Sequence, residues 1–273
     1  MKYCLDYIKN KSSLMKKVNE ITIYYNPTDT TLVDFLLLYK EKRINILIED
    51  LEEFCETELS KIQAIKEKYP DLQIYLKIGS YNQELLDKIK ETGFPFFIYR
   101  FANNWEVFNG LIDLGVSDIY VVESLGFELE ACSKIAHNKG IQIRVFPNIA
   151  QSSWTNTEAL KKFFIRPEDV KLYEPYVDVM EFITESEKAE VYYEVYAEKH
   201  QWFGPLNEII RDLKSDIDNR YIVPRFAKNR INCGKRCQKG GHCRICESIE
   251  ELANTLKEKE IVVVPKKTKI DKK

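Results

Sequence analysis

The chain of 273 residues is 44% hydrophobic and 31% charged, which excludes disordered, collagen-like and low-complexity proteins and allows a sizeable core. Its formal net charge of −2 excludes a protein that binds polyanions with its whole surface. The longest apolar runs are too short to span a bilayer, and the first residues, MKYCLDYIKNKSS, lack the pattern of a signal peptide, so we expect a cytoplasmic protein with no membrane partner.

Short runs of β-branched and aromatic residues recur along the chain and predict eight strands. These strands are 21–26, 44–48, 74–78, 96–99, 119–122, 141–146, 164–166 and 178–183. Apolar residues at helical spacing predict the segments that alternate with or follow them. These helical segments are 51–69, 82–91, 104–114, 126–138, 157–163, 186–200, 206–214 and 247–259.

Strands and helices that alternate in units of about two dozen residues predict parallel strands joined by right-handed crossovers. Eight such units in the α/β class predict a TIM-like (βα)8 barrel over residues 1–204. The seventh unit, 164–178, is short, so an incomplete or distorted barrel with a loop and a helical turn there is an alternative. A doubly wound open sheet is a second alternative, although no glycine-rich fingerprint follows the first predicted strand.

The C-terminal part of the chain has a different composition. We predict that residues 205–264 form C-terminal helices and a small Cys-rich metal-binding appendage, followed by a basic, disordered tail at 265–273. Within this part, the segment 220–246 contains eight Lys or Arg residues and no Asp or Glu. Such a segment suits an anionic substrate or RNA, although its charge also balances nearby thiolates.

Four of the seven cysteines lie within fourteen residues, at Cys233, Cys237, Cys243 and Cys246. Thiols this close together, among glycines and basic residues, are typical of metal ligands, whereas Cys132 sits on an apolar helix face that is typical of a protein core. The short gaps and the positive surroundings favour an iron–sulfur cluster of the [4Fe-4S] type. Zn²⁺ is the alternative, because it also accepts four thiolates.

Charged side chains fall on the lumen-facing positions of several predicted strands. If the isoleucines of each strand face the helices, then Lys77 and Arg144 face the lumen, and Glu49 follows in the same phase. They form either a satisfied polar network or a polar site at the C-terminal mouth, where barrel active sites lie. The candidate catalytic residues are Glu49, Lys77, Arg100, Glu123, Arg144 and Arg166, and further rim candidates are Asn26, Asn148, Gln151, Glu168 and Asp169. For Glu168 and Asp169, helix capping is the structural alternative.

Two blocks of sequence resemble a known family. Residues 163–182, FFIRPEDVKLYEPYVDVMEF, and residues 216–220, DIDNR, followed by the closely spaced cysteines, resemble the collagenase-like bacterial peptidase family U-thirty-two, in a less-studied member with a C-terminal Cys group. The resemblance implies a TIM-barrel-like fold. It also implies kinship with iron–sulfur proteins that hydroxylate RNA bases or the ubiquinone ring without molecular oxygen. Their Glu-x-Phe…Gly…Cys signature is absent here, so no catalytic residue is carried over.

Three functions follow from these observations. The first is an iron–sulfur-dependent redox or modification enzyme that acts on RNA, a peptide or a small molecule. The second is a zinc-stabilised barrel that binds nucleic acid or a partner protein through its basic segment. A peptidase is the third, and only the family name suggests it. The residues themselves do not support a hydrolase, because the three His residues lie in helical or C-terminal segments and no GxSxG motif occurs.

Overall fold

A computed structural model describes most of the chain. Its described residues are 1–7, 11–24, 31–48, 56–79, 82–99, 101–122, 125–150, 162–183, 185, 187–213, 217–234 and 243–259. Within them, no helix is both long and apolar enough to cross a membrane.

The strands form one parallel sheet that curves into a nearly closed barrel. They are β1 (Lys2–Asp6), β2 (Glu20–Tyr24), β3 (Arg43–Ile48), β4 (Gln73–Ile78), β5 (Phe96–Ile98), β6 (Phe101–Ala102), β7 (Asp118–Val121), β8 (Gln142–Val145) and β9 (Val179–Phe182). The order is β5-β4-β3-β2-β1-β9-β8-β7-β6, and every pair is parallel.

The ring approaches closure at β5 and β6, which together occupy one strand position. β5 pairs with β4, whereas β6 pairs with β7. The backbone N–H of Ser117, just before β7, donates to the carbonyl of Phe96 in β5 at 2.7 Å. The structure therefore has eight strand positions, as the predicted (βα)8 barrel requires.

Seven of the described helices, α1–α7, lie between strands, and three, α8–α10, follow the last strand. They are α1 (Ser12–Lys17), α2 (Leu32–Leu38), α3 (Glu56–Lys68), α4 (Gln83–Thr92), α5 (Trp105–Leu114), α6 (Leu129–His137), α7 (Val170–Tyr173), α8 (Ala189–Ala197), α9 (Phe226–Arg230) and α10 (Ile245–Glu258). Local sequence sets several of these limits. α4 begins where the Asn82 side chain accepts a hydrogen bond from the Leu85 N–H, and it ends at Gly93 in the left-handed conformation.

The sequence predicted the barrel correctly but assigned one of its eight strands wrongly. The predicted strand 164–166 is absent, because β8 pairs directly with β9 and leaves no position between them. The apolar residues Phe164 and Ile165, which suggested a strand, are buried in the core instead. A 3₁₀ turn at Pro167–Asp169 followed by α7 matches the alternative of a loop and a helical turn. The missing strand is β1, which the sequence did not predict. The nearly closed ring of parallel strands also excludes the doubly wound sheet.

The described C-terminal residues pack on the barrel. The helical spacing predicted at 206–214 corresponds only to a 3₁₀ turn at Leu206–Glu208, because its apolar residues follow the shape of the core. Phe226 and Ile249 belong to the same hydrophobic core as the barrel strands, and α10 confirms the helix predicted at 247–259. Most of the predicted helix 157–163 and the tail 265–273 lie outside the described residues, as do residues 235–242 of the predicted appendage.

Candidate functional site

Three acidic and three basic side chains fill the N-terminal part of the barrel lumen. All six are nearly inaccessible to water, and their formal charges cancel. The acids come from β2, β7 and β9, and the bases come from β3, β4 and β8. They are Glu20, Asp118, Glu181, Arg43, Lys77 and Arg144.

Arg144 is the centre of this lumen network. Its Nε donates to Asp118 at 2.8 Å, one Nη donates to Glu181 at 3.2 Å, and the other donates to Glu20. Arg43 donates to the second oxygen of Asp118 at 2.6 Å. Each base thus faces at least one acid, which is the condition under which buried charges are tolerated.

The paired charges keep these groups ionised. Burial opposes ionisation of Asp118, but Arg144 and then Arg43 outweigh it and hold the Asp118 pKa below its usual value. In the same way, Lys77 and Arg144 overcome burial and lower the pKa of Glu181. Burial also opposes the charge on Lys77, but Glu181, 2.6 Å away, raises the Lys77 pKa.

The network matches the structural alternative for Lys77 and Arg144. The predicted alternation of the strands is correct, because both side chains face the lumen while Ile74, Leu76 and Ile143 face the outer core. A raised pKa keeps Lys77 as an ammonium ion, and this form is not a nucleophile. In the described residues, Lys77 and Arg144 therefore act as ion-pair partners within the barrel.

An aromatic layer in the lumen packs against the network. Phe97, Tyr120 and Phe146 are buried, and the rings of Tyr120 and Phe146 stack at 5.0 Å. Tyr99 meets both of these rings edge-on, and the Lys77 ammonium lies 4.3 Å from its ring centre. Tyr120 donates to Glu181 at 2.7 Å and so joins the aromatic layer to the network. Phe97, Tyr120 and Phe146 have no exposed surface, whereas Tyr99 is partly exposed.

The rim residues predicted from strand ends separate into two groups. Glu49, Arg100, Glu123, Asn26 and Gln151 lie outside the described residues. Asn148 is described and buried. Its amide donates to the Ile183 carbonyl at 2.8 Å and accepts from the Ile183 N–H at 3.3 Å, so it joins the ends of β8 and β9.

Arg166 belongs to a second buried polar cluster, which lies beside α7. It forms two hydrogen bonds with Asp169, at 2.6 and 3.0 Å, and a third with the Asn219 oxygen at 3.0 Å. Asn219 donates to Glu168 at 2.6 Å and to the Trp202 carbonyl at 2.9 Å. This arrangement links the segment before α7 to the chain that follows α8, and it gives Arg166 a structural role.

The cysteine segment reaches the barrel on its C-terminal side. The Gly234 N–H donates to the Phe127 carbonyl at 3.0 Å, and Phe127 lies in the connection that follows β7. Asn232 adds two hydrogen bonds to Glu130, at the start of α6. Cys233, between these anchors, is therefore fixed beside the connection between β7 and α6.

The four candidate ligands are not assembled in the described part of the structure. Cys233, Cys243 and Cys246 are described, whereas Cys237 lies outside the described residues. Within those residues, no three His, Cys, Asp or Glu side chains are grouped closely enough to hold a metal ion. The described residues therefore do not by themselves form a metal site, and the metal stays a prediction from the cysteine spacing.

Sequence reasoning missed four charged members of the lumen network. Glu181 lies inside a predicted strand, between Met180 and Phe182. The alternation of side chains along that strand could therefore have placed Glu181 in the lumen. Glu20, Arg43 and Asp118 stand at the first residues of their strands, just outside the predicted limits. Pattern reading is least reliable at such limits.

Comparisons with known proteins add little. No family model matches the chain. No curated protein matches it either. Among solved structures, it is similar to one described as a 4-hydroxy-2-oxoglutarate aldolase/2-deydro-3-deoxyphosphogluconate aldolase. The identity is 12%, the TM-score is 0.40, and the match covers 72% of this chain and 92% of that chain. A match at this level adds nothing to the barrel topology that the strand order establishes.

Proposed function

We propose that this protein is an iron–sulfur-dependent redox or modification enzyme. Cys233, Cys237, Cys243 and Cys246 would hold the cluster, and their spacing favours the [4Fe-4S] type. The observation that carries the proposal is the position of Cys233, which hydrogen bonds of Asn232 and Gly234 anchor beside the connection after β7. In barrel enzymes, the active site lies on this C-terminal side.

The barrel mouth is the proposed place for the substrate. Tyr99, just after β5, carries a partly exposed ring, and the buried rings of Tyr120 and Phe146 support it edge-on. The Tyr99 ring suits a planar group that stacks on aromatic side chains, as a nucleobase or another aromatic ring does. The neutral lumen network beneath it holds the strands, and it leaves the chemical step to groups at the mouth and to the cluster.

The test is metal analysis of protein purified without oxygen. We expect visible absorption, an EPR signal after reduction, and iron and sulfide in amounts that match one cluster per chain. Changing Cys243→Ser should abolish all three. Cys132→Ala is the matched control, because Cys132 is buried on α6 in the hydrophobic core and should leave the metal content unchanged. A colourless wild-type protein without iron would refute the proposal.

A second candidate is a zinc-stabilised barrel that binds nucleic acid. One observation favours it: Arg225 and Lys228, next to and within α9, are both exposed close to the cysteine segment. Stoichiometric zinc, together with RNA or DNA binding that weakens steeply with salt, would support this function over the first. Reversal of both charges to Glu should then weaken binding, whereas reversal of the exposed Lys139 should not.

A further inference from the structure

Asp6, the last residue of β1, faces the lumen at the C-terminal end of the barrel. Side chains alternate along a strand, so Asp6 shares a face with Cys4. The Cys4 sulfur lies 3.6 Å from the Asn45 amide nitrogen, which in turn lies 3.4 Å from Glu20 of the lumen network. Asp6 pairs in register with Thr22 of β2 and is partly exposed. Among the described strands, β1 is the one that ends on a charged residue.

Two tyrosine side chains lie at the ends of other strands on the same side of the barrel. Tyr24, the last residue of β2, is 59% exposed and follows Thr22 in the alternation. Tyr99 comes just after β5, and its partly exposed ring lies 4.3 Å from the Lys77 ammonium. Burial raises the pKa of Tyr99, and the groups that add to this rise include Asp6 and Tyr24. Asp6 and Tyr24 therefore both lie within electrostatic reach of Tyr99.

The strand order places Asp6 and Tyr99 on opposite sides of the mouth. β1 lies four positions from β5 in either direction around the ring of eight strand positions. The interior of an eight-stranded barrel is just wide enough for side chains to fill it or for one small ligand. A ligand that contacts both side chains therefore lies across the mouth, with Tyr24 on the strand next to Asp6.

The chemistry of these groups suits a planar ligand whose edge donates hydrogen bonds. A carboxylate has about four acceptor sites, so Asp6 can bind a ligand in addition to its contacts within the protein. Two parallel N–H donors bind a carboxylate bidentately. The formal charges of the lumen network cancel, and its Lys77 pairs with Glu181 at 2.6 Å. Asp6 thus adds a negative charge that disfavours a phosphate at this point.

We propose that Asp6, Tyr24 and Tyr99 select guanine as the base that enters the barrel mouth. Guanine is planar, and one edge carries two adjacent donors, the N1–H and the 2-amino group, whereas adenine, cytosine and uracil carry no such pair. The base stacks on Tyr99, and both donors bind the Asp6 carboxylate on the opposite strand, beside Tyr24. The inference rests on the proposed function in one respect, namely that the barrel mouth receives the substrate, and it requires no metal.

The test is titration calorimetry of the full-length protein with guanosine and with inosine, which is guanosine without the 2-amino group. The wild type should bind guanosine at least about tenfold more tightly, because inosine lacks one charge-assisted hydrogen bond. Asp6→Asn should remove this preference. Asp113→Asn is the matched control, since Asp113 is exposed on α5, and it should keep the preference. Tyr24→Leu should weaken the binding of both nucleosides by the same factor.

The outcomes separate this inference from the proposed function, because the metal content of the same samples is measured independently. Equal affinity for guanosine and inosine, or no binding of either, would overturn the inference whatever the metal content. A preference that survives in folded Asp6→Asn would also overturn it, as would tighter binding of guanidinium ion than of guanosine. If Asp6→Asn does not fold, unchanged guanosine affinity in Tyr24→Leu would overturn it. A clear guanosine preference in protein without iron would support the inference and refute the proposed function.

Discussion

Replacement of Arg144 by Met tests the energetic role of the lumen network. The change keeps much of the side-chain volume but removes the guanidinium that contacts Asp118, Glu181 and Glu20. Three charge-assisted hydrogen bonds at about 1.5–3 kcal/mol each would add up to more than the real loss, because Arg43 and Lys77 still contact the same acids. We therefore expect a loss of about 3–5 kcal/mol in the free energy of unfolding, as for other broken buried ion pairs.

The assay is urea unfolding at several pH values, with Arg244→Met as the matched control. Arg244 is 69% exposed and pairs with Glu247 at the surface, so its loss should cost at most about 1 kcal/mol. The folded-state pKa values of Asp118 and Glu181 lie below their ordinary values of 3.8 and 4.5. Their stabilisation is therefore full above those values and is lost as the pH falls through the lowered ones.

This pH dependence gives the prediction a second readout. The deficit of Arg144→Met should be largest at neutral pH, because the variant then leaves a buried excess of carboxylate charge. It should shrink as the pH falls and these carboxylates become protonated. A neutral-pH loss below about 1 kcal/mol would refute our reasoning about buried ion pairs, and so would a deficit that does not change with pH.

Three further predictions concern packing, polar contacts and thiol reactivity. A Cβ on Gly126 would lie 2.5 Å from the Phe163 ring, so Gly126→Ala should lower the free energy of unfolding in urea by about 1–3 kcal/mol. Gly110 lies inside α5 with open space around it, so Gly110→Ala should leave the stability unchanged or increase it. Equal effects of the two changes would contradict the packing at Gly126. Asn219→Ala should cost about 3 kcal/mol by calorimetry, because several buried partners lose a hydrogen bond. Burial raises the pKa of Cys132 to about 12, so roughly one Cys132 thiol in ten thousand is ionised at pH 8. Mass spectrometry should therefore find Cys132 unlabelled by maleimide until the protein is denatured.

The barrel was predictable from the sequence because periodicity in a parallel barrel is local. Each buried strand is a short apolar run, and most crossovers contain a helix that is long enough to show helical periodicity. Seven of the eight strand positions could therefore be predicted from the sequence pattern alone. β1 was missed because Lys2–Asp6 has a charged residue at each end, which leaves only three apolar residues between them. Its place in the sheet follows from the ring, in which β1 pairs with β2 on one side and with β9 on the other.

The lumen network was less predictable because its pairs join residues far apart in the chain. Lys77 and Arg144 could be placed inside by alternation, but their common partner Glu181 depends on the barrel register that brings β4, β8 and β9 to one centre. Arg166 looked like a rim residue only because 164–166 was read as a strand. With β8 and β9 adjacent, it belongs to a loop whose acids and Asn219 satisfy it.

X-ray absorption at the iron and zinc edges tests the central claim most directly, because it identifies the atoms bound to the metal. For protein purified without oxygen, we predict an iron spectrum fitted by sulfur neighbours, with iron neighbours beyond them, and loss of that signal in Cys243→Ser. A zinc spectrum with four sulfur neighbours at about 2.3 Å would replace the cluster by a structural zinc site. A shell of oxygen or nitrogen neighbours, or no bound metal, would contradict the account.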